Sequence, residues 1–237
     1  PVQGWAQGQI GFLNHYILPL AKRSQTFFYK EFGDALEECS IIPAGLVEEL
    51  QREVSVIMGP PGTGKTMLAQ CLVDLLPDLE HDRMLEVATV YSAYGSGREH
   101  YRRPPLRSPH HSVSTAAMGG GGHTPTPGEI TLSHCGVLFL DELPHFKPSA
   151  LDLLREPIET GEIAIARAQY RTSFPCRFQL IAAMNPCPAG RSCKEHSCRC
   201  TPSQVQRYQS RISGPLLDRI DLHVPVPELD QQTMLKT

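Results

Sequence analysis

The sequence predicts an α/β fold in which a parallel sheet is flanked by helices. From residue 53 onward, short apolar runs alternate with helical segments, which is the pattern of parallel strands joined by crossover helices. A glycine-rich loop separates the first run from a helix, and a pair of carboxylates ends a later run. Because ligands of such sheets bind at the carboxyl ends of the strands, both features favour a site at that edge.

Four apolar runs are predicted as strands of this sheet, and two more as a β-hairpin insertion. The strand candidates are Val54–Met58, Val87–Tyr91, Gly136–Leu140 and Phe178–Met184. The hairpin candidate joins Ile163–Ala166 to Tyr170–Phe174 through a short link. Residues 95–128 are dense in glycine, proline and histidine and too long for an ordinary connection, so they are predicted to be a functional insertion or a mobile loop.

The composition is that of an ordinary globular chain, and it excludes some functions. The chain has 237 residues, of which 41% are hydrophobic and 20% are charged, and its formal net charge is −3. No global positive field attracts nucleic acid, so any such contact must come from local patches. The longest apolar run, Leu180–Met184, is far shorter than the roughly 20 residues that span a membrane. Without a signal-peptide pattern, and with clustered cysteines, we expect a cytoplasmic protein that makes no membrane contact.

The glycine-rich loop carries the strongest chemical signal in the chain. It matches the pattern G-x-x-x-x-G-K-[ST] between a strand and a helical run over 67–76, with the residues Gly59, Pro60, Pro61, Gly62, Thr63, Gly64, Lys65 and Thr66. In such a loop, successive backbone N–H groups point at one phosphate, and the helix directs its positive end at the same anion. We expect Lys65 to reach the β- and γ-phosphates of ATP and Thr66 to ligate Mg²⁺.

Polar side chains end two of the predicted strands. Asp141 and Glu142 follow Gly136–Leu140, where a buried parallel strand needs no charge. Beside a phosphate loop, Asp141 is predicted to complete the magnesium shell, and Glu142 to polarise the attacking water. Asn185 ends the next strand and is predicted to hold that water from the opposite side. Alone, the acidic pair could be a helix cap, and Asn185 before Pro186 could form an Asx-turn.

Taken in this order, the motifs resemble those of the AAA+ ATPases, and most closely the ComM-like (YifB-like) branch of the magnesium-chelatase-type group. The more specific matches are Leu106–Ser112, Pro127–Ile130, Leu140–Pro144, Ala183–Pro188, Gln204–Tyr208 and Ser213–Asp221. The resemblance implies a homo-oligomeric ring in which Arg219 acts as an arginine finger on the ATP of the adjacent subunit. The alternative for Arg219 is a surface ion pair with Asp218 or Asp221.

The resemblance also divides the chain into three parts. An AAA+ core is expected over 53–227, and only 228–237 remain for the start of the helical lid that follows it in this family, so we expect the lid to be absent. Residues 1–52 lack the family's upstream motifs and are predicted to be an N-terminal helical extension. Within them, 1–38 faintly resemble the C-terminal end of a cyclic-nucleotide phosphodiesterase domain, without its metal-binding histidine motifs.

Two arginine-rich segments predict local cationic surfaces. The loop Arg98–Arg107 contains four arginines, and the hairpin Arg167–Arg177 contains three, with Tyr170 between them. Arginine with an interleaved aromatic residue is typical of surfaces that follow a nucleic-acid strand, and a solvated charged face is the alternative. The family resemblance favours contact with DNA.

Four cysteines lie close together near the C-terminal end of the expected core: Cys187, Cys193, Cys198 and Cys200. A tetrahedral Zn²⁺ needs four such ligands, but the spacing departs from paired C-x₂-C knuckles, so free thiols and disulfides stay as alternatives. His110 and His111 are not expected to share a metal ion, because adjacent side chains on an extended loop point apart.

Three functions are compatible with these features. The first is an ATP-hydrolysing motor module that acts on DNA, as in ComM-like helicase or branch-migration activity, and the second is the motor subunit of a complex that inserts metal into a tetrapyrrole. The third is a truncated nucleotide-binding fragment with little turnover. The cysteine cluster and the segment Leu106–Ser112 look more like the ComM branch and favour the first.

Overall fold

The computed structural model describes residues 54–226, apart from 75, 99, 123–124, 168–169 and 191–198. The predicted N-terminal extension over 1–52 and the predicted start of a lid over 228–237 lie outside the described residues.

The strands are β1 (Val54–Met58), β2 (Leu106–Arg107), β3 (Gly120–Gly121), β4 (Thr126–Pro127), β5 (Val137–Leu140), β6 (Glu162–Arg167), β7 (Tyr170–Pro175), β8 (Gln179–Met184) and β9 (Leu222–Pro225). The helices are α1 (Lys65–Asp74), α2 (His81–Tyr94), α3 (Thr115–Gly119), α4 (Glu129–Leu132), α5 (Pro148–Asp152), α6 (Arg155–Thr160), α7 (Pro202–Gln209) and α8 (Gly214–Leu217), with a 3₁₀ turn at Leu143–His145.

The main sheet has five strands in the order β2-β5-β8-β1-β9, and every pair in it is parallel. The predicted parallel sheet flanked by helices is therefore confirmed. β1 lies between β8 and β9, and β5 lies on the far side of β8. The loop after β1 and the polar residues after β5 and β8 consequently share one edge of the sheet.

Both faces of this sheet are buried, which explains why its central strands are almost entirely apolar. Leu138 and Leu140 of β5 pack into a cluster on one face, together with Leu180 of β8. Val137 and Phe139 pack into a second cluster on the other face, where α1 contributes Ala69 and β8 contributes Ile181. Successive residues of a strand point to opposite faces, so each strand supplies both clusters and holds the loops at its carboxyl end in place.

The predicted strand Val87–Tyr91 is wrong, because these residues lie inside α2. Val87, Val90 and Tyr91 are buried at the spacing i, i+3, i+4, which is the period of a helix face. The β-branched residues in this run favour a strand, but the segment folds as a helix because its buried residues recur at the helical period. α2 ends at Gly95, whose φ of 82° is the left-handed conformation that glycine adopts readily.

The glycine-rich stretch 95–128 contains regular structure. β2 adds the edge strand to the main sheet, α3 packs against α4, and β3 pairs with β4 in a small antiparallel ribbon. The expected insertion is thus tied to the sheet at β2 rather than free of it.

The predicted β-hairpin is confirmed as β6 and β7, which pair antiparallel from Glu162 opposite Pro175 to Arg167 opposite Tyr170. Its inward residues Ile163 and Ile165 are buried, so the base of the hairpin is anchored in the core. In the part of the chain that the structure describes, we find no helix of the length and apolar character that crossing a membrane requires.

Candidate active site

The phosphate loop runs from the end of β1 into the first turn of α1. Gly62 and Gly64 have φ values of 79° and 77°, a left-handed conformation that is strained for other residues. Thr63 closes the loop, because its Oγ1 donates a hydrogen bond to the Pro60 carbonyl at 2.9 Å. The first N–H groups of a helix have no intrahelical acceptor, so the start of α1 at Lys65 presents donors to an anion in the loop.

Lys65 lies folded against the loop and is only 8% exposed. Its Nζ donates to the carbonyls of Gly59 at 2.9 Å and Pro60 at 2.7 Å, and to Asn185 Oδ1 at 3.2 Å. Burial lowers the pKa of Lys65, and the negative charge of Asp141 partly offsets this effect. The ammonium is therefore placed between the loop and the two polar strand ends.

Thr66 and Asp141, the two predicted magnesium ligands, are in direct contact. Thr66 Oγ1 donates to Asp141 Oδ2 at 2.7 Å, although the residues come from different segments of the chain. The other carboxylate oxygen, Asp141 Oδ1, accepts the backbone N–H of Glu142 at 2.9 Å. A hydroxyl and a carboxylate held together in this way are the oxygen ligands that Mg²⁺ takes in proteins, so the residues fit the ion.

Asn185 follows β8, the strand between β1 and β5, and its side chain reaches Lys65. The structure thus brings together the side chains that the sequence predicted for one site: Lys65, Thr66, Asp141 and Asn185.

Glu142 lies beside Asp141, with its side chain 49% exposed. Its φ of 54° is left-handed, which is uncommon for a residue other than glycine. Two histidines contact the same carboxylate oxygen, Oε2: His145 Nδ1 at 3.2 Å and His111 Nδ1 at 3.4 Å. No motif in the sequence predicts these contacts.

His110 and His111 do not point apart as expected. Their ring centroids are 4.0 Å apart at an interplanar angle of 35°, because the chain turns at residues 111–112 instead of continuing extended. His110 Nδ1 contacts the hydroxyl of Ser112 at 2.8 Å, so only His111 of the pair approaches Glu142. A turn signal, Ser-Pro ahead of the two histidines, was present in the sequence.

Arg219 forms an ion pair with Glu159 of α6 and donates to the Pro215 carbonyl at 2.5 Å. Its side chain is 24% exposed, and its Nε is buried without a partner. An ion pair was the alternative expected for Arg219, but its partner is Glu159 instead of Asp218 or Asp221.

Two of the four arginines predicted to form a cationic surface over Arg98–Arg107 are paired with carboxylates. Arg107 forms two hydrogen bonds with Glu129, at 2.6 and 2.7 Å, and Arg102 pairs with Asp78 at 2.9 Å. Arg98 lies over the ring of Tyr91, with 5.3 Å between its Cζ and the ring centroid, and Arg103 is exposed. In the second segment, Arg177 follows β7 and is exposed.

The cysteine cluster is only partly described. Cys187 is buried and Cys200 is half-buried, while Cys193 and Cys198 fall in 191–198, outside the described residues. The zinc site stays a prediction.

A separate group of potential metal ligands consists of Glu86, His134 and Cys135. His134 Nδ1 accepts the backbone N–H of Arg177 at 3.1 Å, so its proton is on Nε2, which donates to Glu86 at 2.9 Å. Burial raises the pKa of the Cys135 thiol to about 12. The three side chains form a hydrogen-bond network in which His134 and Cys135 are buried and the side chain of Glu86 is exposed.

The chain belongs to the family described as "Magnesium chelatase, subunit ChlI", whose family model matches residues 52–234. Its relatives make it a ComM-like member of this group. It is 53% identical over 174 residues to "Uncharacterized protein YifB" of Escherichia coli, covering 73% of this chain and 34% of that protein. It is 50% identical over 184 residues to "Competence protein ComM" of Haemophilus influenzae, covering 77% and 36%.

The chain therefore spans about a third of the length of these curated relatives. Among solved structures, NtrX from Brucella abortus in complex with ADP aligns with 86% of this chain and 37% of its own, at a TM-score of 0.48 and 12% identity.

Proposed function

We propose that this member of the magnesium chelatase family binds ATP with Mg²⁺ and hydrolyses it as a motor module. The observation that carries the proposal is the direct contact between the first residues of α1 and the polar residues that follow β5 and β8. Lys65 reaches Asn185, and Thr66 reaches Asp141, so one edge of the sheet gathers a cation, a hydroxyl, a carboxylate and an amide. This set matches the parts that phosphoryl transfer requires.

The bonds of Lys65 and Thr66 indicate how the loop is prearranged for the nucleotide. Lys65 now occupies carbonyl acceptors at Gly59 and Pro60, and its ammonium would turn to the β- and γ-phosphates when ATP binds. Thr66 and Asp141 would hold Mg²⁺, which supplies charge neutralisation on the phosphates when bound. Glu142, beside Asp141, is proposed as the group that takes the proton of the attacking water.

Arg219 is proposed to act between subunits of a homo-oligomeric ring. Its guanidinium is now paired with Glu159, a carboxylate whose side chain is 57% exposed. Such a partner is weakly held and can be exchanged for the phosphates of a neighbouring subunit's ATP. A planar cation there would offset the charge that develops on the transferring phosphoryl group.

The second part of the proposal is that this motor module acts on DNA. The support is the arginine content of the segment 167–177: Arg167 and Arg171 lie on the paired strands β6 and β7, and Arg177, two residues after β7, is exposed. In the segment 98–107, Arg102 and Arg107 are paired with carboxylates, so this segment carries less free positive charge than its number of arginines indicates. Binding of DNA that weakens with salt, and weakens further in Arg177→Gln, would support the segment 167–177 as the contact.

Two substitutions test the ATPase proposal, and they act on different steps. In Lys65→Ala, ATP binding is expected to weaken by about 100-fold or more, because two charge-assisted hydrogen bonds of about 1.5–3 kcal/mol each are lost. Glu142→Gln should bind ATP like the unsubstituted chain while its turnover falls by about 100-fold or more. Lys147→Ala, at an exposed lysine ahead of α5, is the matched control. Equal loss of affinity in both variants would refute the division of roles.

A further inference from the structure

We infer that His111 and His145 are positioning residues that orient the Glu142 carboxylate toward the attacking water. This inference rests on the proposed function, because it assigns a role in the proton transfer made by Glu142. It adds two residues, from two separate loops, that the phosphate-loop motifs do not include.

The two contacts converge on one oxygen. His145 Nδ1 lies 3.2 Å from Glu142 Oε2, and His111 Nδ1 lies 3.4 Å from the same atom. Among the described residues, Oε1 has no hydrogen-bond partner, so it is the oxygen left to accept a proton. Two contacts on Oε2 restrict rotation of the carboxylate, which a single contact would not do as well.

The backbone at Glu142 supports the same arrangement. Its left-handed conformation, with φ 54° and ψ 47°, is unfavourable for a residue with a side chain, and such strain persists where the surrounding structure demands it. The turn that follows is closed by the His145 N–H, which donates to the Glu142 carbonyl at 2.8 Å. The same turn therefore fixes both ends of the Glu142–His145 contact.

Both histidine rings are themselves held by aromatic neighbours. His111 packs against His110, at 4.0 Å between centroids, and against the edge of Phe146 at 6.5 Å. His145 packs against the edge of Tyr208 in α7 at 6.1 Å. Rings held from several elements present their nitrogens in a defined direction, as the supporting groups of a catalytic site must.

The chemistry follows from which nitrogen carries the proton. His145 Nδ1 hydrogen-bonds to the carboxylate and must be the donor, so His145 should be in the Nδ1–H tautomer. His111 Nδ1 faces the same oxygen at 3.4 Å, and we expect the same tautomer there. In the hydrolytic step, the water oxygen bonds to the γ-phosphorus, and its proton passes to Glu142 Oε1. The bond from the γ-phosphorus to the bridging oxygen breaks, and ADP leaves with that electron pair.

The first test reads the tautomers and needs no turnover. Long-range ¹H–¹⁵N NMR of the full chain near neutral pH should show Nδ1–H for His111 and His145, and Glu142→Ala should remove this preference. His100, an exposed histidine, is the internal control and should not respond. Nε2–H tautomers at positions 111 and 145 in the unsubstituted chain would overturn the inference.

The second test separates the donor from the ring. In His145→Phe the ring against Tyr208 is kept and the donor is lost, whereas His145→Asn keeps an N–H near the Nδ1 position. We expect kcat to fall by about 10 to 100-fold in His145→Phe and in His111→Phe, with KM for ATP little changed, and His145→Asn to recover part of the loss. His100→Asn should match the unsubstituted chain.

Turnover of Glu142→Gln, measured in parallel, distinguishes failure of the positioning role from failure of the proposed role of Glu142. If Glu142→Gln abolishes turnover and both phenylalanine variants keep it, the positioning role is refuted while the ATPase proposal stands. If Glu142→Gln retains full turnover, the proposed role of Glu142 fails, and the positioning role fails with it.

Discussion

The ion pair between Arg107 and Glu129 allows a test of whether Arg107, in the arginine-rich segment 98–107, stabilises the fold or contacts DNA. Arg107 lies in the edge strand β2, and Glu129 is the first residue of α4. Their bidentate contact has distances of 2.6 and 2.7 Å, and the side chains are 32% and 19% exposed. The contact thus joins the edge of the sheet to a helix that packs on the core.

Removing Arg107 should leave the Glu129 carboxylate partly buried and without its partner. Breaking a fully buried pair costs about 3–5 kcal/mol, and partial exposure reduces this, so we expect Arg107→Gln to lower the free energy of unfolding by about 2–3 kcal/mol. Arg102 and Asp78 are the matched comparison, since their side chains are 76% and 51% exposed at a distance of 2.9 Å. Arg102→Gln should cost no more than about 1 kcal/mol.

Urea unfolding followed by far-ultraviolet circular dichroism measures both effects. A double-mutant cycle of Arg107→Gln with Glu129→Gln isolates the coupling between the two side chains, which we expect to be about 1.5 kcal/mol or more. Additive effects would refute the structural role. So would a DNA-binding salt slope that falls by about one in Arg107→Gln while stability is unchanged, because that is the behaviour of a phosphate contact.

Three further predictions concern other parts of the chain. Protein purified without chelator should carry about one Zn²⁺ per chain, bound by the cysteine cluster, and metal-free protein would contradict this. Mixing Arg219→Ala with Lys65→Ala subunits should restore part of the ATPase activity that each lacks, and no recovery in confirmed mixed rings would mean that Arg219 does not act across the interface. Burial lowers the pKa of His134 below its ordinary 6.5, so the imidazole binds a proton more readily in the unfolded chain than in the folded one. The free energy of unfolding should therefore fall as the pH drops below about 6.5. The loss of unfolding free energy caused by His134→Gln should then become smaller at lower pH, and a loss that stays constant with pH would refute this prediction.

The arrangement of the candidate ATP site was predictable because it depends on local sequence and on one topological rule. The phosphate loop is a continuous segment between a strand and a helix, and its conformation follows from its own glycines. Asp141 and Asn185 each follow an apolar strand, and the carboxyl ends of parallel strands meet at one edge whatever the loops between them do. Their contacts with Thr66 and Lys65 required no knowledge of loop conformation.

The contacts that the sequence did not predict all depend on the path of a loop or on a distant partner. His111 reaches Glu142 only because the chain turns after β2. Arg107 contacts Glu129, which comes after the end of the glycine-rich stretch. A count of arginines predicts a cationic surface only if the carboxylates lie elsewhere, and each carboxylate that folds back onto the segment cancels one positive charge. Two of the four arginines of the segment 98–107 are paired in this way, so the segment is a weaker candidate for binding a polyanion than its number of arginines indicates.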